Sequence, residues 1–157
     1  MKVNIGISEE NRNHVANVLQ KILADEMVIY AKTRNAHWNV EGKDFYNKHK
    51  MFEAQYEEIA QLADDVAERI RTLGHFAVGT LQGFLDHTHL SEDNMSGNKS
   101  TDYINALLND HESLIISIRE HVNQLEQKFK DVSTSDFITG LIETHEKMAW
   151  ILRSHLS

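Results

Sequence analysis

Two histidines and three carboxylates in the first half of the chain are the residue types of a transition-metal site. They are His37, at the end of one periodic apolar segment, and then, in the next segment, His49, Glu53, Asp64 and Glu68. Around a helix that turns about 100° per residue, the last four fall within roughly 100° of one another and form one stripe. Imidazole nitrogens mixed with carboxylate oxygens suit iron, and also zinc or manganese.

The length of this stripe prevents a single chain from surrounding one metal ion with both of its ends. His49 and Asp64 are fifteen residues apart, which is about 22 Å along a helix that rises 1.5 Å per residue. An antiparallel contact between two copies across a twofold axis would bring the His49 end of one chain to the Asp64 end of the other. With His37 as the second imidazole, the spacing predicts two sites per dimer, each shared between subunits.

Less specific interpretations compete with this one. Carboxylates four residues apart on a helix usually mark a solvated face, and spacing alone favours that interpretation over a metal role. Trp38 and Trp150 are expected in a core or an interface, although an indole beside a metal-binding histidine can also intercept an oxidising equivalent. The remaining histidines are interpreted as surface or structural residues: His14, His75, His87, His89, His111, His121, His145 and His155.

The segments that carry these residues have the pattern of long helices. Proline is absent and there are seven glycines, so little interrupts helical structure. Ser8 is expected to cap a first helix that runs to about Trp38. Asp44 is expected to cap a second helix, for which Gly74 would be the C-terminal cap.

The second half of the chain shows two more helical segments after a connection of about 25 residues that contains TLQGFLDH, itself a candidate short helix. Ser100 or Thr101 is expected to cap the third long helix. DVSTSD then interrupts the pattern, and the fourth helix is expected to begin near Asp136. The prediction is an all-α, ferritin-like four-helix bundle with a short extra helix in the long central crossover, formed by residues 1–157 as one domain.

Composition narrows the functional classes. The formal net charge of −8 disfavours non-specific attraction to DNA and to anionic membranes. The lack of cysteine excludes disulfides, thiolate catalysis and cysteine-based zinc sites. No apolar run approaches the roughly 18 residues that span a bilayer, and the N-terminal residues lack the apolar stretch of a signal peptide. We therefore expect no membrane association and a cytoplasmic location. Glu-x-x-His does not occur either, which disfavours a diiron site inside one bundle.

Residues 35–70 carry a pattern that resembles the signature of the Dps family, the dodecameric miniferritins of bacteria and archaea. That signature has His-Trp-Asn-Val-x-Gly, then a Phe and a His, an acidic residue four positions later, and a closing Asp-x-x-x-Glu-Arg. Here it reads NAHWNVEGKDFYNKHKMFEAQYEEIAQLADDVAERI. Weaker similarity covers nearly the whole chain, including TLQGFLDHT, where the family has a short helix, and THEKMAWILRSHL, which looks like the family's final helix.

The resemblance implies a ferroxidase and iron store. The family oxidises Fe(II), typically with hydrogen peroxide in preference to dioxygen, and deposits the ferric mineral in a hollow homo-oligomer of twelve subunits. Carried over by position, one chain supplies His37, His49 and Glu53, and its twofold partner supplies Asp64 and Glu68. Trp38 matches the tryptophan that the family keeps beside the site. Iron is the expected metal, with zinc or manganese as competitors.

Other features depart from the family pattern or extend it. Glu53 stands where the family often has Asp, and its extra methylene still allows ligation. Asp136 and Glu143 are expected at an acidic threefold pore, although a solvated helix face explains them equally well.

Family members that bind DNA often use basic tails, whereas Lys2 is the only basic residue before Ser8 and the chain stops soon after the last helix. Strong DNA binding is therefore not expected. A DNA-compacting protein with secondary iron chemistry is the alternative function, and a structural oligomer without metal chemistry is a third.

Overall fold

Five α-helices form the part of the chain that the structure, a computed structural model, describes, namely residues 3–92 and 97–156. Within these residues there is no β-strand beyond one isolated bridge between Glu41 and Lys99. Lys2, which bears on the expectation about DNA, lies outside them. The helices are α1 (Glu9–Asn39), α2 (Phe45–Thr72), α3 (Leu81–His87), α4 (Ser100–Gln127) and α5 (Val132–Arg153).

The four long helices pack as two hairpins, α1 with α2 and α4 with α5, while the short α3 lies on α1 within the crossover. The expected bundle with an extra crossover helix is therefore confirmed. Apolar side chains from all four long helices are fully buried between them, among them Leu19, Phe52, Ile59, Leu114 and Ile138. No helix in the described residues is long and apolar enough to cross a bilayer.

The hairpin that carries the predicted ligands has well-defined ends. The Ser8 hydroxyl accepts a hydrogen bond from the Asn11 amide at 3.2 Å, so the expected cap of α1 is confirmed. Gly74 has φ +92°, and the backbone there closes the end of α2 through the Gly74 amide donating to the Arg71 carbonyl at 3.0 Å. A Cβ on Gly74 would lie 2.6 Å from a Val3 methyl group, so both the backbone angle and the packing require glycine.

The expected start of α2 directly after Asp44 is confirmed, whereas the expected starts of α4 and α5 are wrong in detail. Asp44 precedes α2 but makes no capping hydrogen bond, because its carboxylate accepts the Ser100 hydroxyl at 2.8 Å. Ser100 is thus the first residue of α4 and not its cap. The last helix begins at Val132, four residues before Asp136, because the Asp131 carboxylate accepts from the Thr134 amide at 2.9 Å and turns the polar segment into a first helical turn.

The crossover is fastened to the bundle through a buried carboxylate. Asp25, only 1% exposed, accepts from the Thr88 hydroxyl at 2.6 Å and from the backbone amide and Nδ1 of His89 at 3.0 and 2.8 Å. The His89 Nε2 lies 3.1 Å from the Ser113 hydroxyl. Lys32 adds a second attachment, since its ammonium pairs with Asp110 and donates to the carbonyl of Ser91. These contacts hold residues 88–91 of the connection against α1 and α4.

A second polar group lies in the bundle interior, where three helices each contribute one side chain. Glu26, His111 and His145 are all 0% exposed. The His145 Nε2 lies 2.8 Å from the Glu26 carboxylate, and its Nδ1 lies 2.8 Å from Nδ1 of His111. Burial, reinforced by the neighbouring His145, lowers the pKa of His111 well below its ordinary value. These two histidines are therefore structural, as the sequence predicts, but they are core residues and not surface residues.

Candidate metal centre

His37 and His49 lie side by side where α1 ends and α2 begins. Because the two helices form an antiparallel hairpin, the last turn of one faces the first turn of the other. The imidazole rings are stacked, with centroids 3.8 Å apart and planes inclined by 19°. Nδ1 of His37 lies 2.9 Å from the His49 carbonyl oxygen, and Nδ1 of His49 lies 2.8 Å from the His37 carbonyl oxygen. Each histidine thus holds the other.

This reciprocal contact settles which nitrogen of each ring faces outward. A carbonyl oxygen only accepts hydrogen bonds, so both Nδ1 atoms must be the protonated, donating nitrogens. In the neutral imidazole the lone pair is then on Nε2. A backbone carbonyl that orients a histidine in this way is the usual outer partner of a metal ligand. His37 and His49 could therefore bind a metal ion through Nε2.

Glu53 follows His49 by one turn of α2 and is the carboxylate that the sequence predicts for this half of the site. Its Oε2 lies 2.5 Å from the Lys50 ammonium, and its side chain is 29% exposed. The hydrogen bond from Lys50 lowers the pKa of the Glu53 carboxyl, with smaller contributions in the same direction from Lys50 charge and from the two imidazoles. The carboxylate is consequently ionised at neutral pH.

Asp64 and Glu68 are exposed on the same helix but are not brought to the histidines within one chain. Since α2 is continuous from Phe45 to Thr72, the eleven residues from Glu53 to Asp64 correspond to about 16 Å along its axis. Among the described residues of the single chain, no three His, Asp or Glu side chains converge on one point as a metal site requires. A centre shared across a twofold axis stays a prediction from the spacing.

The two tryptophans lie at the surface of the single chain, 63% exposed for Trp38 and 62% for Trp150. A core position is therefore wrong for both, and an interface remains as the expectation. The ring of Trp38 packs on the Arg34 guanidinium at 5.1 Å. The aromatic rings that contact candidate ligands are instead Tyr56, whose centroid lies 5.2 Å from that of His37 at 77°, and Phe45, whose centroid lies 5.2 Å from that of His49 at 29°.

The expected pore residues Asp136 and Glu143 are both exposed on α5, two turns apart. Glu143 lines a shallow groove between α4 and α5 together with Arg119. Their role at a threefold axis stays a prediction.

Sequence reasoning missed the buried polar group, although a signal was present. Glu26 lies four residues after Ile22 and three before Ile29, so it falls on the apolar stripe of α1. His111 and His145 likewise interrupt apolar stripes. A charged or titratable residue on such a stripe indicates a partner from a facing helix, because buried polar groups need one. The reciprocal contact between His37 and His49, called the histidine clamp below, had no comparable signal in the sequence, because it depends on how α1 and α2 are aligned.

Known proteins are similar to this chain in sequence and in fold. The ferritin-like domain family matches residues 16–157. An uncharacterized low temperature-induced protein of Nostoc is 40% identical over 130 residues, which is 83% of this chain and 73% of that protein. A DNA protection during starvation protein of Helicobacter pylori is 37% identical over 111 residues, 71% of this chain and 77% of that protein.

Solved structures agree with these sequence matches. A tetragonal form of Mycobacterium smegmatis Dps superposes with a TM-score of 0.93 at 27% identity, covering 100% of this chain and 94% of that one. Vibrio cholerae Dps, described as a member of a broad superfamily of ferritin-like diiron-carboxylate proteins, gives a TM-score of 0.91 at 28% identity, covering 100% and 98%. With its bundle, its crossover helix and its histidine pair, this chain belongs to the Dps family of ferritin-like proteins.

Proposed function

We propose that this protein is an iron-storing miniferritin that oxidises Fe(II) at centres shared between twofold-related subunits. The observation that carries the proposal is the clamp between His37 and His49, in which each Nδ1 donates to a backbone carbonyl and leaves the Nε2 lone pair for a metal ion. Family membership supports iron storage and ferroxidase activity in general. The clamp supports the proposal that Nε2 of His37 and Nε2 of His49 are ligands of the first half of the centre.

In the proposed centre, Fe(II) is the substrate and the two subunits have different roles. The imidazoles of one chain fix the position of the iron, since their rings are locked by the backbone. Glu53 of the same chain, together with Asp64 and Glu68 of the twofold partner, neutralises the charge of the iron. Because carboxylates interact more strongly with the higher charge, they favour the ferric product. Zinc or manganese would compete for the same mixed donor set.

We infer that hydrogen peroxide is the preferred oxidant and that the particle is a dodecamer in the cytoplasm. One peroxide accepts two electrons and two protons to give two waters, so it oxidises two Fe(II) ions without releasing a hydroxyl radical. Fe(II) would enter the shell through pores lined by Asp136 and Glu143, and the ferric product would collect in the hollow interior. These statements rest on the family resemblance.

A double variant, His37→Asn with His49→Asn, tests the ligand assignment. The asparagine amide nitrogen takes the place of Nδ1 and keeps the donor to each carbonyl, while the Nε2 ligand is removed. We expect particles of normal size that have lost rapid peroxide-dependent Fe(II) oxidation. The matched control is His14→Asn with His87→Asn, two exposed histidines away from the site. A wild-type initial rate in the first variant would remove these histidines from the mechanism.

Subunit sharing is tested by mixing that variant with a second one, Asp64→Asn with Glu68→Gln. Each homo-oligomer should be inactive. Across a twofold pair made of one subunit of each kind, one centre carries all the changes and the other carries none. Co-assembled particles should therefore regain rapid oxidation. Continued inactivity of mixed particles that assemble normally would exclude a centre of this composition.

The alternative is a DNA-compacting protein in which iron chemistry is secondary. The Helicobacter pylori relative, which is named a DNA protection during starvation protein, is the observation that favours it. The net charge of −8 per subunit opposes phosphate binding. We infer that DNA binding is weak. Retention of plasmid in a gel shift at low salt and neutral pH would favour the alternative.

A further inference from the structure

We propose that Asp25, His89 and Ser113 form an acyl-transfer site, in which Ser113 is the nucleophile and His89 is its general base. The substrates are carboxylic esters with a good leaving group. This site does not depend on the proposed iron chemistry, because Asp25 precedes His37 by twelve residues, about 18 Å along α1. The three side chains come from separate parts of the chain, namely α1, the crossover and α4.

The Asp25 carboxylate fixes the position of the His89 ring. Its Oδ2 accepts from His89 Nδ1 at 2.8 Å, and its Oδ1 accepts from the His89 amide at 3.0 Å and from the Thr88 hydroxyl at 2.6 Å. The Thr88 hydroxyl in turn accepts from the Leu90 amide at 3.0 Å. One buried group thus holds both the ring and the backbone of His89, and this is the pre-organisation that a general base needs.

The directions of these hydrogen bonds make Ser113 the donor to His89. A carboxylate accepts hydrogen bonds, so Nδ1 of His89 is the protonated nitrogen, and the lone pair of the neutral ring is on Nε2. Nε2 lies 3.1 Å from Oγ of Ser113, so the hydroxyl must donate to it. A serine that donates to an imidazole, which a buried carboxylate orients in turn, is an activated nucleophile.

The base and the nucleophile are accessible from outside the subunit, whereas the carboxylate behind them is not. The His89 side chain is 42% exposed and Ser113 is half-buried on α4. Asp25 is only 1% exposed, so water does not compete for its oxygens. A group that only fastened the crossover would not need an exposed imidazole, but reaction with an external molecule does need one.

The surroundings of Ser113 decide which esters can react. Its amide belongs to the interior of α4, where the helix uses it, so it cannot stabilise an oxyanion. Lys32 brings a positive charge to this face, since its ammonium contacts Asp110, one turn before Ser113, and the carbonyl of Ser91, two residues after His89. Because Asp110 shares that charge, the oxyanion is only weakly stabilised. The substrates are therefore esters whose leaving group departs readily, such as aryl esters.

The reaction balances with the ester and water alone. Oγ of Ser113 bonds to the carbonyl carbon while Nε2 of His89 takes the hydroxyl proton, and this proton passes to the leaving group as its C–O bond breaks. Water, deprotonated by His89, then releases the acyl group as a carboxylic acid and restores the serine. With an alkyl fluorophosphonate the P–F bond breaks, fluoride leaves, the proton passes through His89 to water, and a stable phosphonyl group remains on Ser113.

Labelling of the assembled wild-type protein with an alkyl fluorophosphonate tests this site, and mass spectrometry locates the adduct. Trypsin releases residues 100–119 as one peptide, which contains the three serines Ser100, Ser113 and Ser117. We expect the adduct on Ser113 alone, and none when the protein is unfolded in urea before labelling. The absence of an adduct on Ser113, equal labelling of the three serines, or equal labelling in urea would overturn the proposal, and none of these measurements needs a variant to fold.

Variants then separate the base from the nucleophile. His89→Asn places an amide nitrogen where Nδ1 donates to Asp25 but removes Nε2, so it should lower the rate of labelling at Ser113 by at least about 100-fold. Ser117→Ala, one turn further along α4, is the matched control and should label at the wild-type rate. Wild type should also hydrolyse p-nitrophenyl acetate faster than Ser113→Ala does. A His89→Asn particle of normal size that labels at the wild-type rate would remove His89 from the mechanism, and equal ester hydrolysis by wild type and Ser113→Ala would contradict the substrate class.

Discussion

Replacing His145 with leucine should destabilise the subunit through the carboxylate that the change leaves unpaired. Glu26 is 0% exposed and its Oε1 receives the His145 Nε2 proton at 2.8 Å. Removing one partner of a buried charged pair typically costs about 3–5 kcal/mol, mostly because the other charge remains buried without compensation. For a domain of this size, a loss of that order lowers the melting temperature by roughly 6–20 °C.

The second change that tests this reasoning is Glu26→Leu in the same chain. The double variant no longer buries a lone carboxylate and leaves only the neutral His111 ring without its partner, which costs about 1–3 kcal/mol. It should therefore melt several degrees above the His145→Leu single variant. Thermal unfolding by circular dichroism is compared at one protein concentration, because assembly contributes to the stability of an oligomer. His14→Leu, at an exposed position, serves as the control. A double variant no more stable than the single one would refute the argument from the unpaired charge.

Two further outcomes follow from the polar groups of the bundle. Because the pKa of His111 is well below its ordinary value of 6.5, the unfolded chain binds a proton there at a pH where the folded chain does not. The free energy of unfolding should thus fall by up to about 1.4 kcal/mol for each pH unit below 6.5, until the folded-state pKa is reached. His111→Asn should reduce this slope by the amount that corresponds to about one bound proton, measured by urea unfolding between pH 5 and pH 6.5. An identical slope in both proteins would contradict the assignment. Asp25→Asn removes the charge that holds Thr88 and His89, so limited proteolysis should cut the crossover sooner than in wild type, whereas Asp86→Asn, an exposed change in α3, should not alter cleavage.

Much of the architecture follows from local features of the sequence. The apolar periodicity and the lack of proline predict four long helices, and helix geometry alone shows that His49 and Asp64 are too far apart for one metal ion. The Ser8 cap and the glycine at position 74 are confirmed because caps depend on a few neighbouring residues. The start of α4 was less predictable, since Asp44 and Ser100 bind each other across 56 positions of sequence.

Residue types and spacing determined the chemical class of the site, since imidazoles and carboxylates on one stripe are metal-binding donors wherever the helix lies. Tertiary structure decided which atoms are available and which neighbours act on them. The alignment of α1 and α2 turns two histidines into a clamp with Nε2 outward, and it places Tyr56, not the sequence neighbour Trp38, against His37. The packing of α1 with α4 and α5 joins Glu26 to His111 and His145. Periodicity shows which face of a helix is buried, but the partner of that face depends on how the helices are aligned in space.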